Sequence, residues 1–418
     1  AYAHCDVLII GAGPAGVTAA DTLRKTDPSG EVVMIGGEPE PPYSRMAIPY
    51  VLTGIIEEEG TYLRKDDDHY GAQKITYRQG TVDSVDAAAK VVKLSDGSEQ
   101  SYEKLLIATG ASPLRPPVDG LDLPGVHHCW TLEDCRNIAR LAEKGADVVL
   151  MGAGFIGCII LEALAERGVN LTVVEAEDRM VPRMMNAAAG NMVKAWCIEK
   201  GVNVLTSTRV TKLESSGENP DSLLVDLDNG EQIPAHLVVV ATGVKSNIGF
   251  LDGAGLKSDQ GIIVDEYMRS SDENIYAAGD CAQGIDFSTG EWAVHAVQPT
   301  AVDHGRIAGM NMAGSVAPFK GSLNMNVLDT VGLISASFGK WDGVEGGDFA
   351  EAHDPDNFRY MRLEFDGDKI IGALSLGRTD QIGVLRGLIQ TEMPLGDWKQ
   401  KLMADPHLIA DAYIDCAH

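Results

Sequence analysis

Short apolar runs alternate along this chain with glycine clusters and with longer stretches whose apolar positions recur at helical spacing. Asp6 to Ile10 (DVLII) reads as a strand, followed by GAGPAG with Gly11, Gly13 and Gly16, and then by an Ala-rich helix to about Lys25. A second strand, EVVMI, leads to Gly36, Gly37 and Glu38. The unit then recurs in ADVVLMGAGFIGCIILEALAERG: a strand, then Gly152, Gly154 and Gly157, then a helix closed by Arg167 and Gly168. Its next strand, NLTVVEA, ends in Glu175. Strands and helices alternating in this order predict an α/β fold with parallel sheets.

The glycine spacing has a physical meaning. The first glycine permits the tight turn, the second lets backbone approach a pyrophosphate, and the third lets helix and strand pack closely. The phosphate then rests on the helix N-terminus. An acid after the second strand accepts a hydrogen bond from a ribose hydroxyl, and Glu175 at that place also repels a 2′-phosphate, which favours NADH over NADPH. Two such units with their acids predict two dinucleotide sites. The bland alternative is a pair of glycine turns that only start helices. Glu38 keeps two readings, a ribose ligand or a solvated loop carboxylate, because Gly36 or Gly37 also fits the expected place. Two apolar strands end in Ala-Thr-Gly, YEKLLIATGASP and HLVVVATGVKSN, and NIYAAGDCA places Asp280 after a strand and a glycine.

Composition narrows the class. With 418 residues and 44% hydrophobic positions, the chain fills two or three ordinary cores. No apolar run reaches the roughly 18 residues of a membrane span, and the first ten residues lack a basic n-region, so a cytoplasmic protein is expected. The missing initiator Met is read as processing or trimming. Seven cysteines are scattered without CxxC or CxxxxC, as expected of reduced thiols, and they offer no local set for an iron–sulfur cluster. A net charge of −27 disfavours nucleic acid as a partner, and fits either plain solubility or docking to a basic face.

No metal site is expected. His127 and His128 point to opposite faces of a strand, and LRKDDDHYG lacks calcium-loop spacing and reads as the start of a solvated helix. Thr131 with Asp134 reads as a helix cap.

The ordered set GAGPAG, ATG, GAGFIG, ATG and AAGD resembles the two-dinucleotide flavoprotein reductases of the pyridine nucleotide-disulfide oxidoreductase superfamily, over almost the whole chain. PYSRMAIPYVLTG and the tail IIGALSLGRTDQIGVLRGLIQTEMPLGDW resemble its rubredoxin and ferredoxin reductases and the flavin portion of nitrite reductase. The resemblance implies a glutathione-reductase-like fold: a discontinuous FAD domain (1–115 and 245–320), a Rossmann-like NAD domain (116–244) and a C-terminal α+β interface domain (321–418). It implies FAD on Gly11, Gly13 and Gly16, with Glu38 at the ribose, Arg45 facing the phosphates, Thr109 and Gly110 lining the site, and Asp280 on the ribitol hydroxyls. The helix beginning near Pro299 would point its dipole at the flavin N1–O2 edge. Gly152, Gly154, Gly157, Glu175 and Gly243 would hold NAD(H).

The departures are informative too. Relatives that cycle a thiol keep a cysteine where this chain has Met46, and a thioether forms neither thiolate nor disulfide. Many relatives set a Lys and a Glu beside the flavin where this chain has Tyr50 and Ile159. The double replacement leaves no unpaired charge and suggests an apolar nicotinamide pocket with Phe155 and Ile156 as its wall, and Phe155 and Ile159 as candidates beside the reacting flavin, unless these are simply core residues. His295 is either a proton donor near the flavin or a satisfied core histidine.

The expectation is an NADH-linked FAD oxidoreductase with hydride passing between nicotinamide and flavin in the cleft between the two domains. Its electrons would be exchanged with an external redox protein: rubredoxin, a ferredoxin, or an iron–sulfur subunit of a larger hetero-oligomeric complex such as those serving tungsten aldehyde oxidoreductases. The rivals are an NADH oxidase acting on O₂ or a small molecule, and an NADH-responsive flavoprotein scaffold.

Overall fold

DVLII lies within a strand, Ala3–Ile10, in the computed structural model, which describes residues 3–418. Its inward residues Leu8, Ile9 and Ile10 are buried on both sheet faces, as a central parallel strand requires. Val32–Gly36 and Glu99–Ile107 flank it in parallel, with Ile75–Gln79 beyond the first. Glu99–Ile107 carries two neighbours on its far side. Ile275–Ala277 pairs in parallel with its C-terminal half, and an antiparallel meander of Val91–Leu94 and Val82–Asp86 pairs with its N-terminal half. These elements belong to one unit, formed by the described residues up to Ile48 with Ile56–Ser112 and Val244–Ser322.

Two helices in this unit pack with almost no space between them. Pro14–Thr26 follows the first glycine motif, and Gln298–Met312 lies against it. A Cβ on Gly305 would fall 2.4 Å from the Ala15 carbonyl oxygen, and one on Gly309 would fall 2.7 Å from that of Ala19. In an open helix, Gly→Ala gains about 1 kcal/mol of helix propensity. Here the new methyl meets backbone, so Gly309→Ala is expected to lower stability by about 1–3 kcal/mol. Thermal melts of the purified variant read the sign directly.

The second unit comprises Pro49–Ile55, Pro113–Gly243 and Leu323–His418. Its first sheet is all parallel, in the order Asn203–Leu205, Asn170–Val174, Asp147–Met151, Leu237–Val240, Val126–His128. Phe155–Glu166 is the crossover helix after the second glycine motif, and Arg167 closes it. Arg167 donates to the carbonyls of Leu52, Ala142 and Ala139, so it anchors the short Pro49–Ile55 segment as well as the helix end. Thr131 and Asp134 form the expected capping box on Leu132–Leu141.

A five-stranded antiparallel sheet completes this unit: Met325–Thr330, Leu333–Gly339, Lys369–Leu376, Arg359–Asp366, Asp348–Asp354. Three helices between Ile382 and Cys416 follow it. A polar chain ties the sheet to the parallel part. Asn186 caps Ala187–Glu199 and donates to the Tyr360 hydroxyl at 2.8 Å, which in turn donates to Glu351 at 2.5 Å. No helix among the described residues is long and apolar enough to cross a membrane.

Candidate dinucleotide sites

The two glycine loops are built by the same collision rule. Gly11 has φ +112°, and a Cβ there would lie 1.9 Å from the Ala108 carbonyl oxygen; Gly152 has φ +103°, with Ala241 oxygen at 2.1 Å. Each Ala-Thr-Gly stretch therefore crowds the first glycine of its own motif. The third glycines are closed as well, since a Cβ on Gly16 would sit 2.0 Å from Gly11 oxygen and one on Gly157 2.4 Å from Gly152 oxygen. The middle glycines differ. No protein atom lies within 4 Å of a Cβ placed on Gly13 or Gly154. These two positions are open on the side where backbone must admit a ligand. Neither following helix has a side-chain cap, so the N–H groups of its first turn remain available to an anion.

Asp280 sits in a tight 3₁₀ turn, Gly279–Cys281, beyond the strand Ile275–Ala277. Its side chain makes no hydrogen bond among the described residues, and burial pushes its carboxyl up to about 6, opposed by the charge of Arg45. An isolated, largely buried carboxylate lacks donors, which sugar hydroxyls would supply. Thr109 and Gly110 belong to the same unit as Asp280. Thr109 donates to Asn247 oxygen at 2.7 Å, and Asn247 N–H donates to Gly110 oxygen at 2.9 Å.

Glu38 and Arg45 form a close ion pair, and the Tyr43 hydroxyl bridges them, donating to Glu38 at 2.5 Å and accepting from Arg45 at 2.7 Å. Tyr43 carries no sequence signal for this place, unlike Glu38 and Arg45. The helix Gln298–Met312 has Pro299 in its first turn and no side-chain cap. Gln298 accepts from the Ser44 hydroxyl at 2.5 Å. His295, whose side chain is 9% exposed, has both ring nitrogens engaged, Nε2 to Asp286 at 2.8 Å and Nδ1 to the Ser322 hydroxyl at 2.6 Å. Asp286 lies below its ordinary range: burial works against this, and the His295 contact outweighs it.

On the second loop, Glu175 is only 7% exposed. It accepts from Ala153 N–H at 2.6 Å and Glu177 N–H at 3.1 Å, so its carboxylate organises the glycine loop directly. A carboxylate has about four lone-pair sites, and these two backbone donors do not use them all. Gly243, at φ +114°, accepts from Leu114 N–H at 2.9 Å. Phe155, Ile156 and Ile159 are each half-buried on the first turns of the helix, whereas Gly157, Cys158 and Ile160 are buried against the sheet. Tyr50, in the same unit, is 52% exposed.

Burial raises Cys5 and Cys197 to about 12 and pushes Cys129, Cys158 and Cys281 up as well. Met46 is 41% exposed on a 3₁₀ turn, Arg45–Ala47. No group of metal-ligating side chains occurs among the described residues.

Two Gly-rich βαβ units, two open middle glycines and an unpartnered Asp280 define a protein that binds two dinucleotides. The chain belongs to the pyridine nucleotide-disulphide oxidoreductase family, whose model matches residues 5–304. It is accordingly an NAD(H)-dependent flavoprotein oxidoreductase with FAD as its cofactor. It is 32% identical to the NADH-dependent phenylglyoxylate dehydrogenase subunit epsilon of Aromatoleum evansii, covering 97% of this chain and 96% of that one. Rubredoxin-NAD(+) reductase of Ectopseudomonas oleovorans is 33% identical over 75% of this chain and 81% of its own. The NADH oxidase of Methanocaldococcus jannaschii is 36% identical over 77% and 72%. The fold is that of the reductase in the covalent putidaredoxin reductase–putidaredoxin complex, with a TM-score of 0.91, 24% identity and 99% of each chain covered.

Proposed function

We propose that this protein exchanges electrons between NAD(H) and an iron–sulfur centre carried by a partner subunit, as the FAD-containing component of a larger oxidoreductase. The flavin supplies the exchange between two-electron and one-electron chemistry when bound. The chain's own residues do the rest. Gly11, Gly13, Gly16, Thr109, Gly110 and Asp280 hold the flavin nucleotide, with the N-terminal turn at Pro299 directed to its anionic edge. Glu38, Tyr43 and Arg45 meet its adenosine and phosphates as one unit, in which the guanidinium can turn from Glu38 to phosphate. Gly152, Gly154, Gly157, Glu175 and Gly243 hold NADH, and Phe155, Ile156 and Ile159 offer the nicotinamide an apolar wall. His295 acts as a positioning residue, because Asp286 and Ser322 occupy its ring nitrogens and leave none to face a flavin.

The observation that carries this reading is Met46 exposed where a thiol would act, in a chain where burial raises the pKa of Cys5, Cys158, Cys197 and Cys281. Electrons arriving from NADH find no disulfide here to reduce. The likeness to a subunit over almost the full length of both chains favours a permanent partner over a free carrier. The acidic charge is compatible with a basic docking face on that partner.

A second reading, direct oxidation of NADH by O₂, draws support from the NADH oxidase relative. Affinity purification from the native source, followed by NADH-driven assays with the recovered iron–sulfur protein, separates the two. Reduction of that protein should exceed the rate with O₂ or with low-molecular-weight disulfides by more than about tenfold, and Met46→Ala should change none of these rates beyond about twofold. Rapid disulfide reduction, or O₂ consumption as fast as carrier reduction, would contradict the proposal.

A further inference from the structure

We propose that His304 is a positioning residue for the flavin site: its Nδ1 accepts the Gly279 N–H and so fixes the turn that presents Asp280. The proposal rests on the reading of Asp280 as a flavin ligand.

His304 occupies the buried face of the helix Gln298–Met312, together with Ala301, Gly305 and Ala308. It is 2% exposed. The Gly279 N–H donates to Nδ1 at 3.2 Å, which requires that Nδ1 carry no proton and that the ring's hydrogen reside on Nε2. Nε2 has no hydrogen-bond partner. Phe319 meets the ring edge-on at 5.6 Å between centroids, and Gly284 lies against its Cε1–Nε2 edge, where a Cβ would fall 3.3 Å from both atoms. Burial, aided by His295, pushes the imidazole down to about 4, so the ring stays neutral. The protein thus leaves one polar atom of His304 unsatisfied and uses the other on a single backbone N–H.

That N–H lies at a position with little freedom. Gly279 has φ +81°, and a Cβ there would meet the Ala15 Cβ at 3.0 Å and the Ala301 Cβ at 3.6 Å. The turn is wedged between the two tightly packed helices and gives its next residue, Asp280, one direction. On its other side, the Ser246 hydroxyl donates to Asp280 oxygen at 2.6 Å. His304 and Ser246 together hold the backbone of Asp280 from both ends. A carboxylate that must meet sugar hydroxyls without paying reorganisation needs this kind of support.

Two substitutions separate hydrogen bonding from packing. The Oδ1 of Asn falls where the Nδ1 of His does, one bond beyond Cγ, so His304→Asn keeps the acceptor but leaves part of the ring's volume empty. His304→Leu fills more of that volume and offers no acceptor. FAD titrated into flavin-free protein, read by flavin fluorescence, should bind His304→Leu at least about tenfold more weakly than wild type and His304→Asn within about threefold. Equal weakening in both, or normal binding in His304→Leu, overturns the proposal. Nitrogen-15 spectra of the flavin-free wild type at neutral pH should place the His304 proton on Nε2, and the opposite tautomer also overturns it. Asp280→Ala serves as the control for the underlying reading. If it leaves FAD affinity unchanged, the ligand role of Asp280 fails while the tautomer result stands by itself. If it weakens affinity, adding His304→Leu should cost little more, and a fully additive loss means His304 does not act through Asp280.

Discussion

Gly13→Ala is expected to yield a stable, folded protein that has lost FAD, whereas Gly11→Ala is expected to damage the fold itself. The two glycines are two residues apart and belong to one motif, yet their surroundings are opposite. A methyl on Gly13 meets no protein atom within 4 Å, so only the ligand feels it. A methyl on Gly11 would stand 1.9 Å from Ala108 oxygen at a φ of +112°, and backbone has to move. Moving it displaces the strand–helix junction on which Gly16 also packs. FAD affinity should fall on the order of a hundredfold in Gly13→Ala with the melting temperature of flavin-free protein unchanged. Gly11→Ala should lower that melting temperature, with a loss of about 3 kcal/mol or more. Flavin content after purification, paired with a thermal melt of the flavin-free protein, reads both effects.

Asp280→Asn is expected to stabilise the flavin-free protein at pH 7 while weakening FAD binding. Burial raises the Asp280 carboxyl from 3.8 to about 6 in the folded chain, so the folded state binds its proton more tightly than the unfolded one. A group of this kind favours folding below pH 3.8, and that contribution is lost as pH rises to about 6. Two pH units correspond to nearly 3 kcal/mol, which we discount to ~2 kcal/mol because the side chain keeps some contact with water. The asparagine carries no charge and escapes the penalty. Its advantage should therefore appear between pH 4 and 6, hold at pH 7, and vanish near pH 3.5. FAD should bind it about tenfold more weakly, since hydroxyl groups donate better to a carboxylate than to an amide. Melts across pH, with and without FAD, test both halves.

The parts of this protein that could be read from its sequence are those whose physical demands are local. Gly11-x-Gly13-x-x-Gly16 and its repeat at Gly152 encode a positive φ and two close approaches within a few residues, and the Thr131–Asp134 cap spans four. The alternation of strand and helix gave the parallel part of the first sheet and the all-parallel second one for the same reason, whereas the antiparallel meander on Glu99–Ile107 left no such signal. What escaped reading depends on residues brought together by folding. His304 looks, in sequence, like a stray polar residue on an Ala- and Gly-rich helix face, and only the turn at Gly279 gives it a task. Gly305 and Gly309 stand at small-xxx-small spacing, a signal too common to name the helix they touch. Tyr43 lies in the same short stretch as Arg45 and Met46, yet its bridging of Glu38 and Arg45 needs the loop to fold back. Arg167 stands in sequence as a helix closer; its hold on Leu52 connects segments more than a hundred residues apart. The raised carboxyl of Asp280 follows from burial, which no motif encodes.

In the proposed exchange electrons pass from NADH through FAD to the partner, and no thiol of this chain takes them from the flavin. Anaerobic reductive titration of the purified flavoprotein tests this most directly. The expected result is uptake of one two-electron equivalent per FAD, complete in a single phase and unchanged in Met46→Ala. Uptake of a second two-electron equivalent per FAD, with new thiols appearing as it is consumed, would contradict the account.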